Sequence, residues 1–165
     1  LPGLFANSSQ GDCKVADIFR SLGVETIHEG QTVTLHKKGE ITQRLDYNFI
    51  NQPDLAQTLV VTCALMDIPF RFSGLQSLKI KETDRMAALI CEMRKLGYIL
   101  QESEGSTLSW EGERCERNHD AIDTYEDHRM AMALLVAGYE VDDTACISKS
   151  YPQFLEQFQH ALPRR

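Results

Sequence analysis

Leu22-Gly23 and Leu96-Gly97 lie 74 residues apart, and each pair closes a stretch whose apolar residues fall at helical spacing. Val15, Ile18, Phe19 and Leu22 form the first stripe; Met86, Leu89, Ile90, Met93 and Leu96 form the second. Strand-like alternation follows both, through Val33 and Leu35 in one case and Tyr98, Ile99, Leu100, Leu108 and Trp110 in the other. A second pair shares the period. Pro53-Asp54-Leu55-Ala56-Gln57-Thr58-Leu59 opens an apolar helix, and Glu126-Asp127-His128-Arg129-Met130-Ala131-Met132 opens another 73 residues later. Self-similarity at one period implies duplicated supersecondary units, which constrains the fold more than any single element does.

The middle of the chain reads as one such unit over residues 41–112. A strand at 45–50 leads to a helix at 54–66, a strand at 69–72, a helix at 83–96 and two further strands, giving βαβαββ. Residues 1–40 read as the latter half of a preceding unit. Residues 113–165 read as the strand, helix, strand and helix of a following one, ending near Leu162. Lys37-Lys38-Gly39-Glu40 and Glu111-Gly112-Glu113 are charged and turn-prone, and are expected to mark the seams. The expected architecture is one partial α/β (α+β) domain of stacked units, and the missing methionine at Leu1 suggests an excised piece.

Composition narrows the function. A net charge of −7 argues against a nucleic-acid or anionic-membrane surface. The longest strongly apolar stretch, 59–66, is too short to span a membrane. The five cysteines (Cys13, Cys63, Cys91, Cys115, Cys146) show no CxxC spacing, and Cys63 and Cys91 fall among apolar helical residues. They read as buried or incidental thiols in a reducing, cytoplasmic setting. His28, His36, His119 and His160 are scattered without ligand spacing, so no metal is expected. Neither a dinucleotide nor a P-loop glycine motif occurs.

Within this acidic chain, basic residues gather at two helix starts. Lys81 lies just before the helix at 83–96, and Arg85 stands in its first turn beside Glu82, Thr83 and Asp84. Together with free helix N–H groups, Lys81 and Arg85 could hold two oxyanions. Arg85 could equally pair with Glu82 and Asp84. Asp127-His128-Arg129 repeats the arrangement, and Arg129 is suited to bidentate binding of carboxylate or phosphate. Asp54 occupies the matching helix start one unit earlier, where an aspartate after proline is ordinarily an N-cap. Lys149 precedes the last helix as Lys81 precedes its own.

These segments together resemble the 5-enolpyruvylshikimate-3-phosphate synthase family. Leu78-Lys79-Ile80-Lys81-Glu82-Thr83-Asp84-Arg85 and Tyr125-Glu126-Asp127-His128-Arg129-Met130-Ala131-Met132 look like its signatures, specific as a pair. Pro53-Asp54-Leu55-Ala56-Gln57-Thr58 and Lys149-Ser150-Tyr151-Pro152 fall in the family's order. The resemblance implies the enolpyruvyl transferase fold, with helices inside and sheets outside. It also implies transfer of the enolpyruvyl group of phosphoenolpyruvate to the 5-hydroxyl of shikimate 3-phosphate, without a cofactor, in the cleft of a monomeric two-domain enzyme. By that similarity Arg85, Arg129 and Lys149 would bind phosphoenolpyruvate. Asp54, Lys81 and Ser77 would contact shikimate 3-phosphate. Asp54 would be the general base, Lys81 a proton shuttle, Glu82 the group exchanging a proton with the methylene carbon, and His128 an orienter of Glu82.

Ser77 stands where the family often has asparagine, so its reach is shorter. Asn7-Ser8-Ser9-Gln10 looks like the family's phosphate-binding triplet but falls elsewhere along its chain. The family's other, N-terminal domain is absent, and the piece alone is expected to be inactive. Two alternatives stay open: the related transferase acting on UDP-N-acetylglucosamine, and a non-catalytic anion-binding module.

Overall fold

A computed structural model describes residues 6–118 and 120–161; His119 and Leu162, both named above, lie outside them. The first helix, α1 (Val15–Arg20), follows a 3-10 turn and leads into an antiparallel ribbon of β1 (Leu22–Glu29) and β2 (Thr32–Ile41). Lys37-Lys38-Gly39-Glu40 runs inside β2, where Lys37 pairs with Val24 and the register then shifts before Ile41 pairs with Leu22. Next come β3 (Leu45–Asn48), α2 (Ala56–Leu65), β4 (Phe70–Ser73), α3 (Arg85–Lys95), β5 (Gln101–Ser103) and β6 (Thr107–Trp110). Their order is βαβαββ. The four strands form one sheet in the order β3-β4-β6-β5, with β3 and β4 parallel and the other neighbours antiparallel.

Period-2 alternation decides which face of this sheet is dry. Phe70, Phe72, Leu108 and Trp110 are buried while Arg71 points to water. The helices lie on the dry side. α2 carries no charged residue and buries Leu59, Val60, Val61, Cys63 and Ala64, so it belongs to the interior in spite of its β-branched residues. Burial pushes the Cys63 thiol up to about 12, leaving it protonated and inert. Cys91 departs from expectation: it is exposed on the outer face of α3.

α3 begins later than its apolar pattern suggests, because Asp84 is its N-cap and accepts from Met86 and Ala87 N–H at 3.1 and 3.0 Å. It ends in a Schellman turn, with Tyr98 N–H donating to Met93 O and Gly97 N–H to Arg94 O. Gly97 supplies the required positive φ of 92°. After β6 the chain contains α4 (His128–Val136), a 3-10 turn at Ala145–Lys149 and α5 (Phe154–Ala161). The strands read on either side of α4 shrink to a single parallel bridge, Ile122 with Val141. Among the described residues no helix is long and apolar enough to cross a membrane.

Candidate active site

Five of the residues singled out by sequence meet at one place. Pro53–Leu55 forms a 3-10 turn leading into α2, and the Asp54 side chain caps no helix. Its carboxylate faces three cations from three elements. Arg85 Nη1 lies 2.9 Å and Lys81 Nζ 3.4 Å from Oδ1, and Arg129 Nη2 lies 3.3 Å from Oδ2. Arg129 Nη1 also donates to the Asp54 carbonyl at 3.1 Å. With its amide oriented to satisfy both neighbours, the buried Gln57 donates to that carbonyl and accepts from Arg85 Nε. The N-cap reading of Asp54 is therefore set aside: the residue organises cations.

Arg85 differs from the open anion receptor expected. Its side chain is 1% exposed, and each of its nitrogens has an acidic partner. Nε donates to Asp127 at 2.6 Å, Nη1 to Asp54 at 2.9 Å and Nη2 to Glu82 at 2.7 Å. Asp127 is wholly buried, and it also caps α4 through Arg129 N–H at 2.8 Å and Met130 N–H at 3.4 Å. With Asp84 capping α3, two first-turn N–H groups at each helix are already taken. The expectation that those groups would bind oxyanions is corrected accordingly. What remains accessible is Lys81, half-buried Arg129 and Glu82, whose side chain is 47% exposed.

The remaining candidates stand apart from this cluster. Ser77 is half-buried in the 3-10 turn Gln76–Ile80. Lys149 is exposed, and its ammonium lies 3.9 Å from Glu126. Among the described residues no hydrogen bond joins His128 to Glu82, whose carboxylate is held by Arg85 instead. Sequence reasoning overlooked Asp127, Gln57 and Asp12 as members. Asp12 Oδ2 lies 3.7 Å from Arg129 Nη2, brought there by the close approach of Gly11, where a Cβ would come within 2.9 Å of the Asn51 carbonyl. Aspartates directly ahead of both helices were the one local signal available, since that is an N-cap pattern.

Lys81, Arg85 and Arg129 are matched by Asp54, Glu82 and Asp127, with Asp12 more distant, so the cluster carries no surplus positive charge. Such a site can exchange carboxylate partners for those of an incoming anion and can move protons within one carboxylate–ammonium pair. The structure thus defines an α/β domain with a carboxylate–guanidinium–ammonium cluster where its helices begin. The family model for EPSP synthase (3-phosphoshikimate 1-carboxyvinyltransferase) matches residues 1–158, and the chain belongs to that family. A 3-phosphoshikimate 1-carboxyvinyltransferase of Bacteroides fragilis is 52% identical over 98% of this chain and 41% of its own length. The Idiomarina loihiensis protein of that name is 34% identical over 94% of the chain and 37% of itself. A chloroplastic one from Petunia hybrida is 32% identical over 96% and 33%. The chain thus spans about two fifths of the length of its Bacteroides relative.

Proposed function

We propose that this chain is the portion of a 3-phosphoshikimate 1-carboxyvinyltransferase that contributes Asp54, Lys81, Glu82, Arg85, Arg129 and Lys149 to the active cleft. The whole enzyme transfers the enolpyruvyl group of phosphoenolpyruvate to the 5-hydroxyl of shikimate 3-phosphate and releases phosphate. The supporting observation is the convergence of Lys81, Arg85 and Arg129 on the single carboxylate of Asp54.

In this reading Glu82 gives a proton to the methylene carbon, and the adjacent carbon becomes cationic. The hydroxyl oxygen bonds to that carbon as its proton passes to Asp54, with Lys81 at 3.4 Å as the relay. Phosphate leaves with the C–O bonding pair and takes up the proton held by Asp54, while a methyl proton returns to Glu82 and restores the double bond. Arg129 and Lys149 hold the ligand's anionic groups, and Arg85 joins them when Glu82 moves off its guanidinium. Cations fixed before the reaction limit the reorganisation it needs. Ser77 contacts the shikimate moiety and His128 orients Glu82 once the cleft is occupied. The remaining walls come from the part of the enzyme beyond this chain, so the piece alone releases no phosphate. The five unpaired cysteines support a cytoplasmic setting.

Calorimetric titration tests the proposal, using this chain extended at its N-terminus with the matching region of the Bacteroides fragilis relative. Phosphoenolpyruvate binding that tightens in the presence of shikimate 3-phosphate is expected. Anion binding indifferent to shikimate 3-phosphate would instead establish a non-catalytic module.

A further inference from the structure

Immediately before Asp127 the chain makes a tight turn, closed by Asp127 N–H donating to the Thr124 carbonyl at 3.0 Å. Its central residues, Tyr125 (φ 57°) and Glu126 (φ 55°), are both left-handed, a conformation that suits glycine or asparagine and strains tyrosine and glutamate. A turn of this kind persists only where its surroundings over-determine it.

The surroundings here do so. Asp123 N–H donates to Glu92 Oε2 at 3.0 Å, Thr124 N–H to Asp142 Oδ1 at 2.8 Å, and the Tyr125 hydroxyl to Glu92 Oε1 at 2.7 Å. Glu92 is wholly buried, and its Oε2 also receives Lys95 Nζ at 2.8 Å. Seven residues separate Glu92 from Arg85, which is about two turns along one face of α3. The helix therefore grips the turn twice, through Arg85 on Asp127 and through Glu92 on Tyr125.

We infer that Tyr125 and Glu92 are positioning residues, whose bond holds the strained turn closed and so fixes where Arg129 stands relative to Lys81 and Arg85. What Arg129 receives there rests on the proposed function; the clamp itself does not.

Nuclear magnetic resonance of this chain tests it, following the Arg129 Nε–H signal while phosphoenolpyruvate is added. Tyr125→Phe deletes only the hydroxyl. It should raise the apparent dissociation constant about fivefold, because only molecules with the turn closed are competent. In a Glu126→Gly background one of the two strained positions is relieved, so the turn depends less on the clamp and the same change should cost less than about twofold. Equal losses in the two backgrounds, or an Arg129 signal that Tyr125→Phe leaves unmoved, would overturn the inference. If the unmodified chain does not respond to phosphoenolpyruvate, the functional reading is decided by the N-terminally extended chain, which supplies the missing cleft walls. The clamp is then decided by hydrogen exchange at the Arg129 and Met130 amides in the ligand-free protein. Tyr125→Phe must speed that exchange about tenfold, with Glu126→Gly restoring the protection, and unchanged exchange refutes the clamp.

Discussion

At the start of α3 an aspartate caps the helix and the adjacent Arg85 is buried to 1% of its side chain; at the start of α4 an aspartate also caps the helix, yet Arg129 keeps 29% exposure. Arg85 directly follows its cap whereas His128 intervenes before Arg129, so the two guanidiniums leave their helices in different directions and meet different surroundings. Arg85 meets the wholly buried carboxylate of Asp127, and becomes a strut between elements. Arg129 lies at the rim, braced by Asp54 on one side and more distantly by Asp12 on the other. The two basic helix starts are therefore not equivalent anion sites. A ligand can recruit Arg129 directly, but recruits Arg85 only by displacing an acid, and the displaceable one is Glu82.

The sharpest way to break this comparison is to remove each arginine. Arg85→Met leaves Asp127 buried without its partner and should cost about 3–5 kcal/mol, read as a fall in the urea midpoint. Arg129→Met should cost less than about 1 kcal/mol of stability, since its partners are partly hydrated, while weakening phosphoenolpyruvate binding. Comparable losses from the two would erase the distinction.

The caps give a smaller contrast. Asp84→Ala should cost about 1 kcal/mol, an ordinary capping loss. Asp127→Ala removes the α4 cap and also takes the Nε partner from buried Arg85, which keeps Asp54 and Glu82. It should therefore cost more than Asp84→Ala, read as a larger drop in thermal midpoint. Adding Arg85→Met to Asp127→Ala should then cost less than Arg85→Met alone. The wholly buried carboxylate is no longer there to be left unpaired, and only the partly exposed Asp54 and Glu82 lose a partner.

The smallest effect concerns acid. Burial alone would raise the Asp142 carboxyl, but its bond from the Thr124 N–H holds it below 3.8. A folded-state value below the unfolded one stabilises at higher pH and is lost as pH falls through it. Below 3.8, amide exchange should therefore quicken in α4 before it does in α3. Simultaneous loosening would show that Asp142 does not anchor this turn.

Much of the fold was legible because it is local. The helix near 83–96 declares itself through Met86, Leu89, Ile90 and Met93, and Gly97 announces its end. The strand flanks of α4 were misread: single residues there, Ile122 and Val141, carry the pairing, too few for alternation to register reliably. The candidate site was legible as a set of residue types and illegible as a network. Arg85 is buried because Asp127 reaches it across 42 residues, a separation no local pattern encodes. Tyr125 and Glu92 stayed hidden for a related reason. Nothing in a tyrosine-glutamate pair signals a left-handed turn, and the hydroxyl's partner lies 33 residues upstream.

That Lys81, Arg85 and Arg129 are fully matched by Asp54, Glu82, Asp127 and Asp12 has a kinetic consequence. A face without surplus positive charge attracts no anion from a distance, and the chain's overall −7 repels one. Added salt screens that repulsion over about 10 Å at 0.1 M. Ligand capture by this face should therefore hold steady or quicken as ionic strength rises, whereas electrostatically steered encounters slow down.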